Sequence, residues 1–426
     1  MLKVSPHMSA AKTSIESGVK EPGFEFIALV AMLTALMAMS IDTMLPAIGL
    51  MATQLNATTK GDEALIILLF FAGNMVGIPV FGPMSDSLGR KPTIFIGLVI
   101  YVVGSLLCAM AWSFPILLLG RVIQGFGVAS PRIVVLAMVR DGAKGSAMAK
   151  IMSFVMSVFM LVPIIAPSIG QAVMLLANWR YIFYGLTVMA LIAGLWLGLG
   201  QEETLPLDQR RPFSATALWS AAREVVSNRI SLAYTLAIGA IFGIFTSYLS
   251  ICRRIYVDQY DMGAWFPIIF GSCAVFIAAA MIVNGNLVQK LGMRKLSRMA
   301  MIGYVSVWFA ILGLSMLTSG QPPLVFLLPL FGLWFFSAGF TFGNFNAMAM
   351  EPMGHIAGMA AAVSGFMSQG IGIALGIFAS RFYDGTLTQV TMIFVIYALS
   401  AFFIIEWAEM GRTVSAIKPS DLPAAH

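Results

Sequence analysis

The chain has 426 residues, of which 59% are hydrophobic and only 10% are charged. Ordinary soluble domains carry about 25% charged residues, and a soluble protein of this size has no means of burying so much apolar surface. The mean hydropathy of +0.90 therefore excludes water-soluble enzymes and nucleic-acid-binding proteins, despite the formal net charge of +6. Most of the chain is expected to lie in a lipid bilayer.

Twelve apolar runs are long enough to span a membrane, because about 20 residues cross the hydrocarbon core and helices satisfy their own backbone there. Six lie at about 24–46, 64–82, 93–112, 115–139, 150–177 and 181–200, and six at about 230–252, 264–288, 297–318, 322–350, 355–380 and 388–408. The polar segments 1–23, 201–229 and 409–426 are interpreted as an N-terminal tail, a linker and a C-terminal tail. The predicted fold is an all-α membrane protein with two six-helix bundles, 24–200 and 230–408.

The distribution of basic residues predicts the orientation of these helices. With the N-terminus inside, 18 of the 25 Lys and Arg residues fall in cytoplasmic segments and 5 in external loops, which leaves Arg121 and Arg132 within a span. Basic residues collect on the cytoplasmic side of membrane proteins. Both termini and the linker are therefore expected to be cytoplasmic.

An internal repeat relates the two halves. The segment after the second span has Gly82 and Gly89, and the segment after the eighth has Gly285 and Gly292, with the same spacing and an offset of 203 residues. Such a repeat predicts two pseudo-symmetric halves related by an axis along the membrane normal, with a cavity between them. This is a transporter architecture.

Several motifs resemble those of the major facilitator superfamily. The loop after the second span matches its signature at Gly82, Asp86, Gly89, Arg90 and Lys91. Resemblance to the Bcr/CflA subgroup of drug:proton antiporters rests on 42–47 in the first span, on Arg121, Gln124, Gly125, Gly127, Arg140 and Asp141 in the fourth, on Pro163, Ala166, Pro167 and Gly170 in the fifth, and on Trp179 and Arg180 after it. The resemblance implies a twelve-helix major facilitator fold, a small-molecule substrate, protons as the coupling ion, a monomer and a bacterial inner-membrane location.

The resemblance also implies residues that act in conformational switching. The loop signature is expected to clasp the two halves on the cytoplasmic side, with Asp141 in its charge network and Asp86 either capping a helix or pairing with Arg90. Glycine at 82 and 89 allows a tight turn. The full set is Gly82, Asp86, Gly89, Arg90, Asp141, Pro163, Pro167 and Gly170.

Asp42 is the only acidic residue well inside a predicted span. A charge there costs about 2.5–3.5 kcal/mol on insertion scales, so such a carboxylate indicates a functional site. The same helix face carries small side chains before Asp42, which leave room for water or ligand: Ala38, Ala35 and Ala31. The alternative is that Asp42, near the outer end of its helix, reaches the membrane surface.

Arg121 lies six residues into the fourth span and keeps its proton, so it is expected to need an anion. Asp42 is the candidate partner, because both residues lie in the outer third of their helices. The hypothesis is that substrate competes for Asp42 with a proton or with Arg121, which makes both residues proton-coupling and substrate-binding candidates. The alternative is a static structural ion pair.

Arg132 follows Arg121 by eleven residues, so it lies only about 20° off the same helix face and about 16 Å deeper. Gln124 flanks that face. Asp42 alone does not balance two guanidinium groups. Either Arg132 points to water and backbone carbonyls, or the substrate is an anion or zwitterion, which is the alternative function, with uptake as a possible direction.

Further substrate-binding candidates lie in the C-terminal half. Phe336, Phe340 and Asn344 share one face of the tenth span, and Tyr248 lies in the seventh. Aromatic rings with one amide suit an amphipathic ligand; the alternative is ordinary helix packing. Just outside the seventh span, Arg253 and Arg254 could attract an anion at the outer mouth. The alternative, which is favoured, is that Arg254 and Asp258, four residues apart, pair on one helix turn.

The chain has no phosphate-binding G-x-x-x-x-G-K-[ST] segment and no Cys/His cluster, so neither ATP, a metal nor another cofactor is expected. No arrangement of residues indicates an enzyme. The predicted function is proton-coupled export of a small organic or drug-like molecule by alternating access, that is, H⁺ antiport.

Overall fold

The computed structural model describes residues 23–57, 59, 61–143, 145–210, 212 and 214–410. Within these residues the regular structure is helical throughout, and no strand occurs. Apart from Gly23, Glu409 and Met410, the predicted tails at 1–23 and 409–426 lie outside the described residues.

Fourteen α-helices make up the described part of the chain. The N-terminal half contains α1 (Phe24–Asp42), α2 (Ile48–Gln54), α3 (Leu65–Leu88), α4 (Arg90–Ala109), α5 (Phe114–Gly142), α6 (Gly145–Leu176) and α7 (Arg180–Gly200). Helix α8 (Ala215–Ser227) lies in the linker. The C-terminal half contains α9 (Arg229–Arg253), α10 (Phe266–Leu291), α11 (Met293–Leu317), α12 (Leu324–Met350), α13 (Ala357–Ser380) and α14 (Thr388–Glu409).

Eleven continuous helical stretches among the described residues are long and apolar enough to cross a membrane. One of them, Leu324–Ser380, has 57 residues and consists of α12 and α13 joined by the 3₁₀ turn Glu351–Ile356. Counted as two helices, it gives the twelve spans expected from the sequence. The twelve-helix all-α fold is therefore confirmed.

Small residues set the tight packing of α5 between its neighbours. A Cβ atom at Gly125 would lie 1.9 Å from the Phe70 carbonyl oxygen of α3, and one at Gly127 would lie 2.4 Å from the Tyr101 nitrogen of α4. Membrane helices approach this closely only where a small residue occupies the contact. These glycines fix the position of α5, which carries Arg121 and Arg132.

The internal repeat has the same local structure in both halves. Gly89 (φ +105°) joins α3 to α4, and Gly292 (φ +75°) joins α10 to α11. These positive φ angles favour glycine over any residue with a side chain.

The repeat extends to a matching ion pair beside each of these turns. In the N-terminal half Arg90 Nε lies 2.9 Å from Asp141 Oδ2, and in the C-terminal half Arg294 Nη2 lies 2.6 Å from Glu351 Oε2. Each pair ties the start of one helix, α4 or α11, to the end of the following one, α5 or α12.

Helix α8 was not predicted from the sequence, which indicated only a polar linker. Ser214 caps it by accepting a hydrogen bond from Ala217 N at 3.1 Å. Its apolar side packs on the C-terminal half, where Val225 belongs to a buried cluster with Met353 and Val363. The linker is thus docked onto the turn between α12 and α13.

The two halves meet along α3 against α13 and α6 against α10. We name the ends of the bundle after residues they carry, the Arg90 face and the Arg254 face. At the Arg254 face, Arg254 Nε lies 3.3 Å from Glu63 Oε1 and Arg253 Nε donates to the Pro46 carbonyl at 3.3 Å, both across the two halves.

Toward the Arg90 face the halves separate. A Cβ atom at Gly271 of α10 would lie 2.9 Å from the Ile164 carbonyl oxygen of α6, so these helices touch in the part nearer the Arg254 face. Beyond that contact, Ala280 is the only buried residue in 275–291. The structure is therefore closed at the Arg254 face and open toward the Arg90 face.

Candidate functional site

Asp42 ends α1 in the contact region between the halves. Its side chain is buried (6% exposed) and lies near Cys252 of α9. Among the described residues, the Asp42 carboxylate has no hydrogen bond and no ion pair. The position is therefore a buried carboxylate that no cation pairs with in the described part of the chain.

Arg121 is fully buried inside the N-terminal half. Its Nε donates to the Ile66 carbonyl at 2.9 Å, one Nη donates to Gln124 Oε1, and its guanidinium lies 4.3 Å from the centre of the Phe70 ring. Gln124 in turn donates to Ser105 Oγ at 2.8 Å. The other Nη has no hydrogen-bond partner in the described structure. Neutral acceptors and an aromatic face thus surround this charge.

The hypothesised contact between Asp42 and Arg121 is absent from the described structure, in which no ion pair joins them. It is Ser40 that faces the Arg121 region, with its Oγ 2.6 Å from the Tyr101 hydroxyl. Two residues along a helix turn the side chain by about 200°. Asp42 therefore points away from Arg121 and toward α9 of the other half.

Arg132 lies on the α5 face that also carries Arg121, but its side chain is exposed. It donates to Asn74 Oδ1 of α3 at 2.8 Å, and the same oxygen accepts a hydrogen bond of 3.3 Å from Gln369 Nε2 of α13. Among the described residues, no carboxylate pairs with Arg132. Because Arg132 is exposed and its side chain points toward α3, we place its guanidinium in the space between the halves.

Asn74 and Gln369 were not predicted as site residues. Both are buried amides within membrane-spanning helices, and each leaves one polar atom without a partner in the described structure, Asn74 Nδ2 and Gln369 Oε1. An amide inside a predicted span is a weak sequence signal. It becomes informative once the fold places both amides beside Arg132.

The remaining substrate-binding candidates do not converge on Asp42. Asn344 forms a reciprocal amide pair with Asn284 of α10, with hydrogen bonds of 2.9 and 3.3 Å. Tyr248 is buried, and its hydroxyl lies 3.1 Å from that of Tyr256. The Trp334 ring packs against it at a centroid distance of 5.1 Å.

Phe336 and Phe340 stack edge to face at 5.2 Å within the C-terminal half. They line an apolar groove of about 230 Å³ together with Leu296 and Ala300 of α11. The four candidates thus belong to the packing of the C-terminal half: Tyr248, Phe336, Phe340 and Asn344. They do not join the residues at the contact between the halves.

The loop-signature residues form a charge cluster at the Arg90 face. Arg90 is buried; its Nη1 donates to Asp86 and, at 2.8 Å, to Ser85 Oγ, and its Nε pairs with Asp141. A Cβ atom at Gly82 would meet nothing within 4 Å, so the structure gives no steric reason for that glycine.

Glu203 in the linker completes this cluster and was missed from the sequence. Its carboxylate accepts hydrogen bonds from the backbone nitrogens of Arg90 at 2.9 Å and Lys91 at 3.0 Å. It therefore caps the N-terminus of α4, where a negative charge is favourable. The Lys91 ammonium binds the Gln201 carbonyl at 2.7 Å, which holds the linker in place.

The proline and glycine candidates of α6 lie at or near its contacts with other helices. A Cβ atom at Gly170 would lie 1.7 Å from the Thr43 carbonyl oxygen, so only glycine fits beside the end of α1. Pro163 and Pro167 lie within α6 and remove backbone donors there. Helix α6 thus touches the chain immediately after Asp42.

The predicted pairing of Arg254 with Asp258 is wrong. Residues Arg254–Gln259 form a π-helical turn, in which neighbours are five residues apart. Asp258 therefore pairs with Arg253, at 3.2 Å, and Arg254 pairs with Glu63 of the other half. Arg254 also lies 4.6 Å from the centre of the Tyr383 ring.

No group of three or more His, Cys, Asp or Glu residues that could hold a metal occurs in the described part of the chain. The site chemistry rests on one carboxylate, two guanidinium groups and several amides.

Comparisons with known proteins place these features in a family. Residues 28–377 match the model of the Major Facilitator Superfamily. The chain is 28% identical to the MFS-type transporter YdgK of Bacillus subtilis over 80% of this chain and 84% of that protein. It is 28% identical to the multidrug resistance protein MdtL of Klebsiella pneumoniae (76% and 80%) and 26% to a bicyclomycin resistance protein homolog of Haemophilus influenzae (83% and 88%).

Solved structures share the fold at low sequence identity. The xylose transporter XylE of E. coli, in a partially occluded inward-open conformation, has a TM-score of 0.71 at 13% identity over 92% of this chain and 99% of that one. The human organic anion transporter MFSD10 has a TM-score of 0.64 at 17% identity, covering 91% and 100%. The matched family, the curated relatives and the solved structures are transporters and not enzymes. This chain belongs to the Major Facilitator Superfamily and is a multi-pass membrane transporter.

Proposed function

We propose that the protein exports a small organic molecule in exchange for protons by alternating access. Relatives of similar length carry the names multidrug resistance protein and bicyclomycin resistance protein homolog. The motifs of the first, fourth and fifth spans resemble those of drug:proton antiporters. Both support export over other directions of transport.

The observation that carries the proton coupling is the environment of Asp42. It is a buried carboxylate at the contact between the halves, and among the described residues it has neither a cation nor a hydrogen-bond donor. A charge in such a place is expensive, and binding a proton removes it. Opening of the Arg254 face would expose the same group to the other side of the membrane. Asp42 is therefore the proton-carrying residue of the proposal, with no direct role for Arg121.

The charge cluster around Arg90 is the proposed switching element. Its hydrogen bonds tie α3, α4, α5 and the linker together at the open face of the structure. A shift of the halves that closes this face moves these helix ends relative to the C-terminal half. Pro163, Pro167 and Gly170 of α6 lie near the contacts that close the Arg254 face. They are proposed to act in the same conformational switching.

The orientation follows from the basic residues. The Arg90 face carries the linker and most of the Lys and Arg residues, so it is proposed to be cytoplasmic, which makes the structure inward-open. The proposal includes a monomer in the inner membrane of a bacterium, with both termini in the cytoplasm.

The test uses an efflux-deficient bacterium that expresses the chain. Bicyclomycin and a panel of lipophilic antibiotics are the probes, and we expect raised resistance to at least one of them, which a protonophore abolishes. If no probe in the panel gives raised resistance, export of drug-like molecules is wrong.

The Asp42→Asn variant then tests the proton role in proteoliposomes. We expect pH-gradient-driven accumulation of the transported probe to fall at least about tenfold, because an amide carries no transferable proton, while probe exchange without a gradient persists. The matched control is Asp258→Asn, an exposed acid at the same face, which should keep accumulation. Full accumulation by Asp42→Asn would disprove the proton role.

A further inference from the structure

Arg132 presents a positive charge in the space between the halves that the described part of the chain does not neutralise. Its guanidinium has one hydrogen bond, to Asn74, and no carboxylate partner among the described residues. Arg121, on the same face of α5, is instead enclosed by its own acceptors. Of the two arginines within the spans, Arg132 is the one that a ligand can reach.

A guanidinium within a membrane is costly unless it is paired. It also has five donors in a fixed fork that matches an oxyanion with two parallel hydrogen bonds. One donor is used by Asn74, so most of the fork remains available at the exposed side. An oxyanion of a ligand fits these free donors and supplies the charge that the described residues do not.

The neighbours of Arg132 add polar groups from both halves. Asn74 of α3 and Gln369 of α13 are buried and joined through the oxygen that also binds Arg132. Asn74 Nδ2 is a donor without a partner, and Gln369 Oε1 is an acceptor without one. Both amides are buried, so they act on the site by holding Arg132: the Asn74 oxygen accepts from its guanidinium, and Gln369 donates to that same oxygen.

We propose that Arg132, Asn74 and Gln369 form the binding site for a carboxylate group of the cargo. Arg132 supplies the charge and a bidentate pair of donors, Asn74 holds the guanidinium in place, and Gln369 puts the site in contact with the other half. The proposal deepens the proposed function, since it rests on the chain being an exporter, and it names organic carboxylates, including zwitterions, as the substrate class.

The site also couples binding to the movement of the halves. Asn74 and Gln369 belong to helices α3 and α13, which meet at the contact between halves. A carboxylate bound to the guanidinium that this contact holds interacts differently with the two arrangements of the halves. Such a difference in interaction is what allows a ligand to shift a conformational equilibrium.

The test measures binding by the purified full chain in detergent, without any gradient. The probes are 1-naphthoate and 1-naphthamide, which share their ring and differ in charge. Their dissociation constants come from the dependence of the thermal-unfolding midpoint on probe concentration. We expect naphthoate to bind about 10- to 100-fold more tightly than naphthamide, as for a hydrogen bond to a charged group. Equal effects of the two probes, including no effect of either, would overturn the proposal.

Three variants locate the discrimination. Arg132→Gln should remove it, and Arg132→Lys should keep part of it, since the charge stays while the bidentate geometry is lost. Gln369→Glu keeps Arg132 but adds a carboxylate that shares its position, and it should also remove the preference. A preference for naphthoate that survives in both Arg132→Gln and Gln369→Glu would show that the carboxylate binds elsewhere.

The same experiment separates this proposal from the proposed function. Binding requires neither a proton gradient nor Asp42, so Asp42→Asn should retain the preference for naphthoate. If the preference is found while Asp42→Asn transports normally, the proton role fails and the carboxylate site stands. If the preference is absent while gradient-driven export is lost in Asp42→Asn, the carboxylate site fails and the proton role stands.

Discussion

The guanidinium of Arg121 shows how one buried charge is accommodated without a counter-ion. The Ile66 carbonyl and the Gln124 side chain accept its hydrogen bonds, and the Phe70 ring covers it. Hydrogen bonds to a charged group are worth about 1.5–3 kcal/mol each. Arg121 therefore stabilises the packing of α5 against α3, and Gln124 is central to that role.

Replacing Gln124 with Leu should lower the free energy of unfolding by about 1–3 kcal/mol. The substitution keeps the approximate volume but removes the acceptor of the Arg121 Nη and the donor to Ser105. Thermal unfolding of the detergent-purified protein measures the change. The control is Gln171→Leu in α6, a half-exposed glutamine with no hydrogen bond in the described structure. Equal losses in the two variants would contradict the acceptor role.

The positions of single charges were predictable, but their partners were not. The pattern of apolar runs in the sequence is enough to identify Asp42, Arg121 and Arg132 as charges within spans. Depth in the membrane follows from counting residues, whereas the direction of a side chain depends on the rotation of its helix. That rotation is set by contacts such as Ser40 with Tyr101, which the sequence does not reveal.

At the level of elements, the start of α4 depends on a residue distant in sequence. The first backbone nitrogens of a helix have no partner within it. Here the Glu203 carboxylate accepts hydrogen bonds from the backbone nitrogens of Arg90 and Lys91. The Gly89 turn brings the start of α4 and the linker together. A Cβ atom at Gly89 would lie 2.6 Å from that carboxylate, so the turn and the cap are coupled.

The Glu203→Ala substitution should therefore destabilise the protein by about 1 kcal/mol. It removes the acceptor of both backbone nitrogens and a favourable charge at the start of α4. Thermal unfolding is the measurement, and Glu202→Ala is the matched control because this neighbouring acid is exposed. A loss of stability in the control as large as in Glu203→Ala would mean that linker charge, and not the cap, is responsible.

Spans were predicted well because lipid imposes a simple rule on them. The predicted run 230–252 corresponds to α9, Arg229–Arg253, within one residue at each end. Elements outside that rule were missed. Helix α8 is short and takes its stability from packing on the turn at Met353, and the π-helical turn Arg254–Gln259 changes which charges meet.

At the scale of the whole molecule, the two faces differ in what holds the halves together. The Arg254 face is closed by the ion pair of Arg254 with Glu63 and by the hydrogen bond of Arg253 to the Pro46 carbonyl. Arg254 is 8% exposed, so water solvates its guanidinium poorly when the Glu63 carboxylate is removed. The described polar contacts of Arg90 stay within the N-terminal half and the linker. Opening the Arg254 face is therefore expected to depend on the pair of Arg254 with Glu63.

Glu63→Gln should shift the equilibrium toward a state open at the Arg254 face. Loss of the pair leaves Arg254 without its carboxylate, an effect of about 1–3 kcal/mol, or about 5- to 150-fold in the ratio of states. Spin labels on cysteines at Leu176 and Leu317, exposed at this face in opposite halves, report the separation by pulsed electron paramagnetic resonance; the three native cysteines are buried. The control is Asp258→Asn, which breaks the pair with Arg253 inside one half and should leave the distances unchanged. Distances that stay short in Glu63→Gln would mean that helix packing alone, through α3 with α13 and α6 with α10, closes this face.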